Sequence, residues 1–182
     1  MKKKNIIELT RVSAAEYRAL RKLPLILVAD NVRSMYNIGS MFRTSDAFLV
    51  QEIILGGISG CPPHPEITKT ALGAEDTVAW RHVDDTLAEC LRLRASGATI
   101  CVLEQTHGSI PLQDYHPAQG AGPYVLVVGN EVEGVDQKIV DIADVALEIP
   151  QCGVKHSLNV SSSAAIALFQ FFTALSPAPS GA

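Results

Sequence analysis

Apolar residues along this chain fall into short unbroken runs separated by helical patterns. "LILVAD" (25–30), "EIILGG" (52–57), "ATICVLE" (98–104), "YVLVVG" (124–129) and "DVALEIP" (144–150) are too short for core helices and rich in β-branched residues. Most are continuously apolar, as expected of strands covered on both faces. Between them, apolar spacing predicts helices at roughly 38–49, 84–96 and 135–143, and a long final helix at about 159–175. In the first, Ile38, Met41, Phe42, Ser45, Phe48 and Leu49 share one face, with Asn37 as expected N-cap and Arg43 on the far side. Strands alternating with helices predict an α/β fold with a mainly parallel sheet.

Ligands of such sheets bind beyond the carboxyl ends of the strands. Here those ends read "DNVRSMYNIGS", "EQTHGS", "GNEVEG" and "QCGVKHSLN". The concentration of Gly, Asn, Glu and Ser at these ends points to a site.

Composition narrows the class. A length of 182 residues with 47% hydrophobic positions fits one packed domain. No apolar run is long enough for a membrane span, and "MKKKNIIELTR" lacks the apolar stretch of a signal peptide. Cys61, Cys90, Cys101 and Cys152 show neither C-x-x-C spacing nor a disulfide framework, so a reduced cytoplasmic location is expected. The net charge of −4 is unevenly spread: residues 1–22 carry seven Lys or Arg and two Glu, a local +5, leaving −9 for the rest. The basic stretch reads either as a solvated helical arm or as an arm that approaches phosphates.

The loops exclude some chemistries. Gly129 and Gly134 have phosphate-loop spacing, but Val135 and Asp136 follow where Lys and Ser/Thr are needed. No G-x-G-x-x-G follows a strand, and there is no His/Cys metal cluster, carboxylate pair or G-x-S-x-G elbow. Gly129 reads as a point of close backbone approach to a ligand, or as a plain turn glycine. Arg43 could simply pair with Asp46 on the helix surface. Ser157 or Asn159 would cap the last helix, yet "VKHSLN" supplies more polar groups than a helix start requires.

Three of these stretches together resemble the SpoU/TrmH family of RNA ribose 2′-O-methyltransferases, within the SPOUT class. "LVADNVRSMYNIGSMFRTSDAF" is similar to the family's N-x-x-N-x-G/A-x-x-x-R-T element, and "LVVGNEVEGV" to its L-V-x-G-x-E-x-x-G-V. "LEIPQCGVKHSLNVSSSAAIALF" is similar to I-P-M-x-G-x-x-x-S-L-N-V-S-x-A-x-A-I, with Gln151 where Met is common and Ser162–Ser163 in place of more apolar residues. The match runs from about residue 24 to 173. It implies helices on both faces of the sheet, a deep carboxyl-terminal trefoil knot, a homodimer, and S-adenosylmethionine without a metal. Residues 1–23 would be a basic helical arm, 24–175 the methyltransferase domain and 176–182 a flexible tail. By position, Leu103, Glu104, Gly129, Asn130, Ile149, Gln151, Ser157 and Leu158 would hold the cofactor. Asn37, Arg43, Glu131, Ser157 and Asn159 would serve catalysis, with Glu131 orienting Asn37 or Arg43. RNA would meet Arg11, Arg18, Arg33, Arg43 and Lys155. The expected substrate is tRNA. The alternatives are ribosomal RNA, a family member that binds RNA without catalysis, and, outside the family, a nucleotide-dependent α/β enzyme.

Overall fold

A computed structural model describes residues 1–3, 5 and 12–176. The expected arm residues Lys4 and Arg11, and the tail beyond Ser176, lie outside the described residues. Seven strands form one sheet: β1 Leu23–Asp30, β2 Val50–Gly56, β3 Trp80–Val83, β4 Thr99–Leu103, β5 Ile110–Pro111, β6 Tyr124–Val128 and β7 Val145–Glu148. Their order is β3-β2-β1-β6-β4-β7-β5, and every neighbouring pair is parallel. The helices are α1 Ala14–Ala19, α2 Met35–Ala47, α3 Pro65–Ala71, α4 Thr86–Ala95, α5 Gln137–Ile142 and α6 Val160–Leu175.

Two cores explain the continuous apolar runs. One face of the sheet packs Leu25, Leu27 and Leu126 against Ile38, Met41, Phe42 and Ile67 from α2 and α3, and Ala164, Leu168 and Phe171 from α6. The other packs Ile26, Val28 and Val125 against Cys90 and Leu93 from α4 and Ile139 from α5. Consecutive residues of β1 therefore enter opposite cores and all must be apolar. Among the described residues no helix is long and apolar enough to cross a membrane.

Chain order sets the site. From β1 the chain builds outward through β2 to β3. It then crosses to β4, and β6 inserts between β1 and β4. The strand order thus reverses beside β1 and β6, where an open parallel sheet leaves a crevice beyond its carboxyl ends.

Four elements differ from expectation. β3, α3 and β5 lie where the sequence showed no element, and α2 begins earlier, with Ser34 rather than Asn37 as its N-cap. Ser34 Oγ accepts the Asn37 N–H, leaving the Asn37 carboxamide free to point elsewhere. α1 is short and is tied to the body: Tyr17 is buried in the first core, Lys22 Nζ lies 3.2 Å from the Tyr17 ring centroid, and Arg18 donates to the Asp76 carbonyl at 3.0 Å.

Candidate functional site

A cavity of about 540 Å³ opens beyond the ends of β4, β6 and β7. Its wall includes every residue expected to hold the cofactor: Leu103, Glu104, Gly129, Asn130, Ile149, Gln151, Ser157 and Leu158. Glu131 and Asn159 also line it, whereas Asn37 and Arg43 do not.

The floor is the turn that follows β6. Asn130 and Gly134 exchange two backbone hydrogen bonds, at 2.9 and 3.0 Å, and Gly134 has φ +74°. The Asn130 side chain accepts from the N–H groups of Val132 and Glu133, and its Nδ2 donates to the Asn31 carbonyl at 2.8 Å. A Cβ on Gly129 would overlap the backbone of Gly134 and Val135. Gly129 is therefore required by the chain folding back over it, as in the turn-glycine reading, and it lines the cavity as well. Glu104 secures the same turn from the next strand end, accepting the Val135 N–H at 3.0 Å and the Gln105 N–H at 2.9 Å.

A hydrogen-bond chain crosses three sequence-distant loops beside this floor. Glu131 accepts from the N–H groups of Arg33 (3.1 Å) and Ser34 (3.0 Å), and from Asn37 Nδ2 (3.0 Å). Asn37 Oδ1 in turn accepts from Asn159 Nδ2 at 3.0 Å. Asn159 Oδ1 then caps α6, accepting from the N–H groups of Ser161 and Ser162. Desolvation alone would raise the Glu131 carboxyl pKa. The bonds from Arg33, its own N–H, Asn37 and Ser34 outweigh that and hold it below its ordinary value. Glu131 thus stays ionised and orients Asn37, one of its two expected partners.

Two residues absent from the expected set complete the support. Asp30, 2% exposed at the end of β1, accepts from the Asp136 N–H at 3.1 Å and from Asn31 Nδ2 at 2.9 Å. Asn31 sits at φ +56° and accepts the Ile58 N–H. The signal was present, since Asp-Asn directly ends an apolar strand. What the pair binds was not, because its partners lie up to 106 positions away.

The remaining expected residues are solvent-facing. Arg43 is exposed on α2 and makes no hydrogen bond or ion pair among the described residues, so the alternative surface pair with Asp46 is not formed. Asp46 instead accepts from Thr77 Oγ1. Arg33, Lys155 and Arg18 are exposed as well. Of the two candidate caps of α6, Asn159 holds the position, and Ser157 faces the cavity. Among the described residues the lining carries Glu104, Glu131, Glu133 and Glu148 but no Lys or Arg. Such a wall suits a ligand bearing a positive charge.

This fold and site define an α/β protein with a parallel sheet and an acidic ligand cavity beyond the carboxyl ends of β4, β6 and β7, and comparison with known proteins makes the family explicit. The chain belongs to the SpoU rRNA methylase family, whose model matches residues 24–169. It is 32% identical over 152 residues to a tRNA (guanosine(18)-2′-O)-methyltransferase of Aquifex aeolicus, covering 82% of this chain and 69% of that one. It is 30% identical over 154 residues to a 23S rRNA (guanosine-2′-O-)-methyltransferase of Vibrio parahaemolyticus, covering 84% of this chain and 60% of that one. The chain thus spans about three fifths of the Vibrio relative's length. Among solved structures, it superimposes on the Aquifex aeolicus TrmH/SpoU tRNA modifying enzyme with a TM-score of 0.76 and 29% identity, covering 88% of this chain and 81% of that one. An AdoMet-bound rRNA methyltransferase from Sinorhizobium meliloti gives a TM-score of 0.76 and 26% identity, covering 85% and 59%.

Proposed function

We propose that this protein transfers a methyl group from S-adenosylmethionine to a ribose 2′-hydroxyl of RNA, with tRNA favoured over ribosomal RNA, in the cytoplasm and without a metal. The observation that carries the reading is the chain Glu131–Asn37–Asn159, which draws all three family motifs to the edge of one cavity. The four glutamates of the lining support a sulfonium ligand, which supplies an electrophilic methyl group once bound.

The roles follow from the chemistry of the residues. Glu104 and Asn130 hold the floor of the cavity, and Ile149 and Leu158 offer its apolar wall. Glu131 keeps Asn37 oriented, and Ser157 and Asn159 position the ribose or the amino-acid end of the cofactor. The 2′-hydroxyl must lose its proton as the new O–C bond forms. A guanidinium stays protonated in proteins, so Arg43 acts as the cation facing the developing alkoxide and a neighbouring phosphate, not as the base. Fixing both reactants in line supplies much of the remaining acceleration.

The reading also includes a homodimer and a trefoil knot in the carboxyl-terminal part of residues 24–175. Support for the dimer is that α6 exposes Ile166 (45%) and Phe169 (54%) beside its buried face, an apolar surface that a second copy would cover. Support for the knot is the insertion of β6 between earlier strands, followed by the return of α6 onto α2.

The test is methyl transfer from labelled cofactor to tRNA and rRNA transcripts, paired with ribose-methylation mapping of RNA from a deletion strain. Label in tRNA, with the matching site lost in the strain, is the expected result. Label in rRNA alone would select the ribosomal alternative. RNA binding without any transfer would favour the non-catalytic one. Calorimetry should show binding of S-adenosylmethionine or S-adenosylhomocysteine with no metal added, and tight NADH binding with no response to either compound would sink the assignment.

A further inference from the structure

The floor of the cavity is heavily bonded, but its outer wall is not. Residues 150–159 are all exposed, and Gln151, His156, Ser157 and Leu158 among them line the cavity. Among the described residues, one hydrogen bond ties the stretch from Ile149 to Leu158 to the rest of the molecule: Gln105 Nε2 donates to the His156 carbonyl at 2.9 Å. Gln105 itself stands on a fixed base. Its N–H is held by Glu104 Oε1 at 2.9 Å, and the Glu104 N–H donates to the Leu147 carbonyl at 2.9 Å. A side chain on a bonded base thus reaches across to the carboxyl-terminal half of a loop otherwise without such ties.

We propose that Gln105 is a positioning residue, whose carboxamide latches the 150–158 loop in place as the outer wall of the cofactor cavity. The proposal rests on reading the cavity as the S-adenosylmethionine site. An untied loop has to be ordered when the ligand arrives, and that ordering opposes binding. The latch orders it beforehand. Because the loop contributes His156, Ser157 and Leu158 to the wall, its order is felt in cofactor affinity. Gln105 is exposed and packs little, so global stability does not depend on it.

The test compares Q105E, Q105A and Q105K with the wild-type protein. Q105E nearly preserves the shape but has no donor, and Q105K keeps a donor. Calorimetry with S-adenosylhomocysteine should show binding weakened about three- to tenfold in Q105E and Q105A, the effect of one lost net hydrogen bond, and partly restored in Q105K. Steady-state transfer should show a raised KM for the cofactor, with kcat at saturating cofactor unchanged. Trypsin cleavage after Lys155, with no cofactor present, should be faster in Q105E and Q105A, while their melting temperatures match wild type. Wild-type affinity in Q105E would overturn the proposal, whatever the proteolysis shows. Unchanged cleavage would overturn it as well. If the wild-type protein itself binds neither cofactor nor product, the functional reading falls, and the proteolysis arm alone still decides whether Gln105 holds the loop.

Discussion

At the scale of single residues, the site separates side chains that build it from side chains that face outward. Asn37 bonds Glu131 and Asn159, and Asn159 also caps α6, so both carboxamides are fixed before any ligand enters. Arg43 has no such partner among the described residues. Its helix turns Ile38, Met41 and Phe42 into the core, so Arg43→Ala should fold normally and, since Arg43 does not line the cavity, bind cofactor normally. Methyl transfer should fall by about 10²–10³ under single-turnover conditions, the scale set by losing one preorganised group that faces developing charge. Arg43→Lys divides the possibilities: partial activity marks a general electrostatic role, and activity as low as the alanine variant marks bidentate phosphate positioning. Wild-type turnover by Arg43→Ala would remove Arg43 from the mechanism.

At the scale of elements, the edge of the sheet farthest from the cavity is held by charge. Arg81 on β3 contacts Glu52 on β2 at 3.1 Å and also bonds Glu89 on α4, which in turn is bonded by Arg92 at 2.6 and 2.9 Å. The hydrogen bonds from Arg92 lead this effect; desolvation opposes them, and Arg81 adds to them. Together they bring the Glu89 carboxyl from its ordinary 4.5 down to about 2. A carboxyl depressed on folding stabilises the native state above its unfolded pKa, and that contribution fades as pH falls through its folded pKa. Urea midpoints should therefore drop between about pH 4.5 and pH 2, and Glu89→Gln should flatten this part of the profile. The contribution is at most about 3 kcal/mol, lessened by solvent around the exposed Arg92. An unaltered acid limb in Glu89→Gln would show that the network adds nothing to stability.

At the scale of the whole molecule, two surfaces remain for partners. The proposed dimer should dissociate when Ile166→Glu and Phe169→Glu are combined, because both positions are already exposed in the single chain and the changes leave the core intact. Sedimentation that gives the same mass for the variant and the wild type would remove α6 from the interface. The basic arm requires a milder test than truncation, since Tyr17 belongs to the main core and a cut at Lys22 would remove it. Changing Lys2, Lys3, Lys4 and Arg11 to Gln leaves α1 in place. RNA binding should weaken, and the slope of log affinity against log salt should flatten by roughly one unit for each phosphate no longer neutralised, with cofactor affinity unchanged. An unchanged slope would make the arm a solvated helix.

The runs forming β1, β2, β4 and β6 were legible in the sequence because most of their residues are buried on both faces, and continuous burial demands continuous apolarity; β7, where Leu147 is buried and the rest half-buried, was legible from its run Val145, Ala146, Leu147. β3 and β5 were not: one is a short edge strand reading Trp-Arg-His-Val, the other is two residues ending in proline. α3 is hidden behind "CPPHPE", where proline reads as loop although Pro65 opens the helix. At the site, the polar strand ends pointed to the loops, and the resemblance to the family named the residues between Leu103 and Asn159 that line the cavity. Capping rules made Asn37 the cap of α2, a position that Ser34 holds, although the resemblance already paired Asn37 with Glu131; Gly129, open between a ligand contact and a turn glycine, sits under the chain's own turn and also lines the cavity. The error has one cause. Periodicity and capping are set by residues three or four positions apart, and these a sequence displays. The partners of Asn37 are Glu131, 94 positions on, and Asn159, 122 positions on, and only the packed tertiary structure brings them within hydrogen-bonding distance.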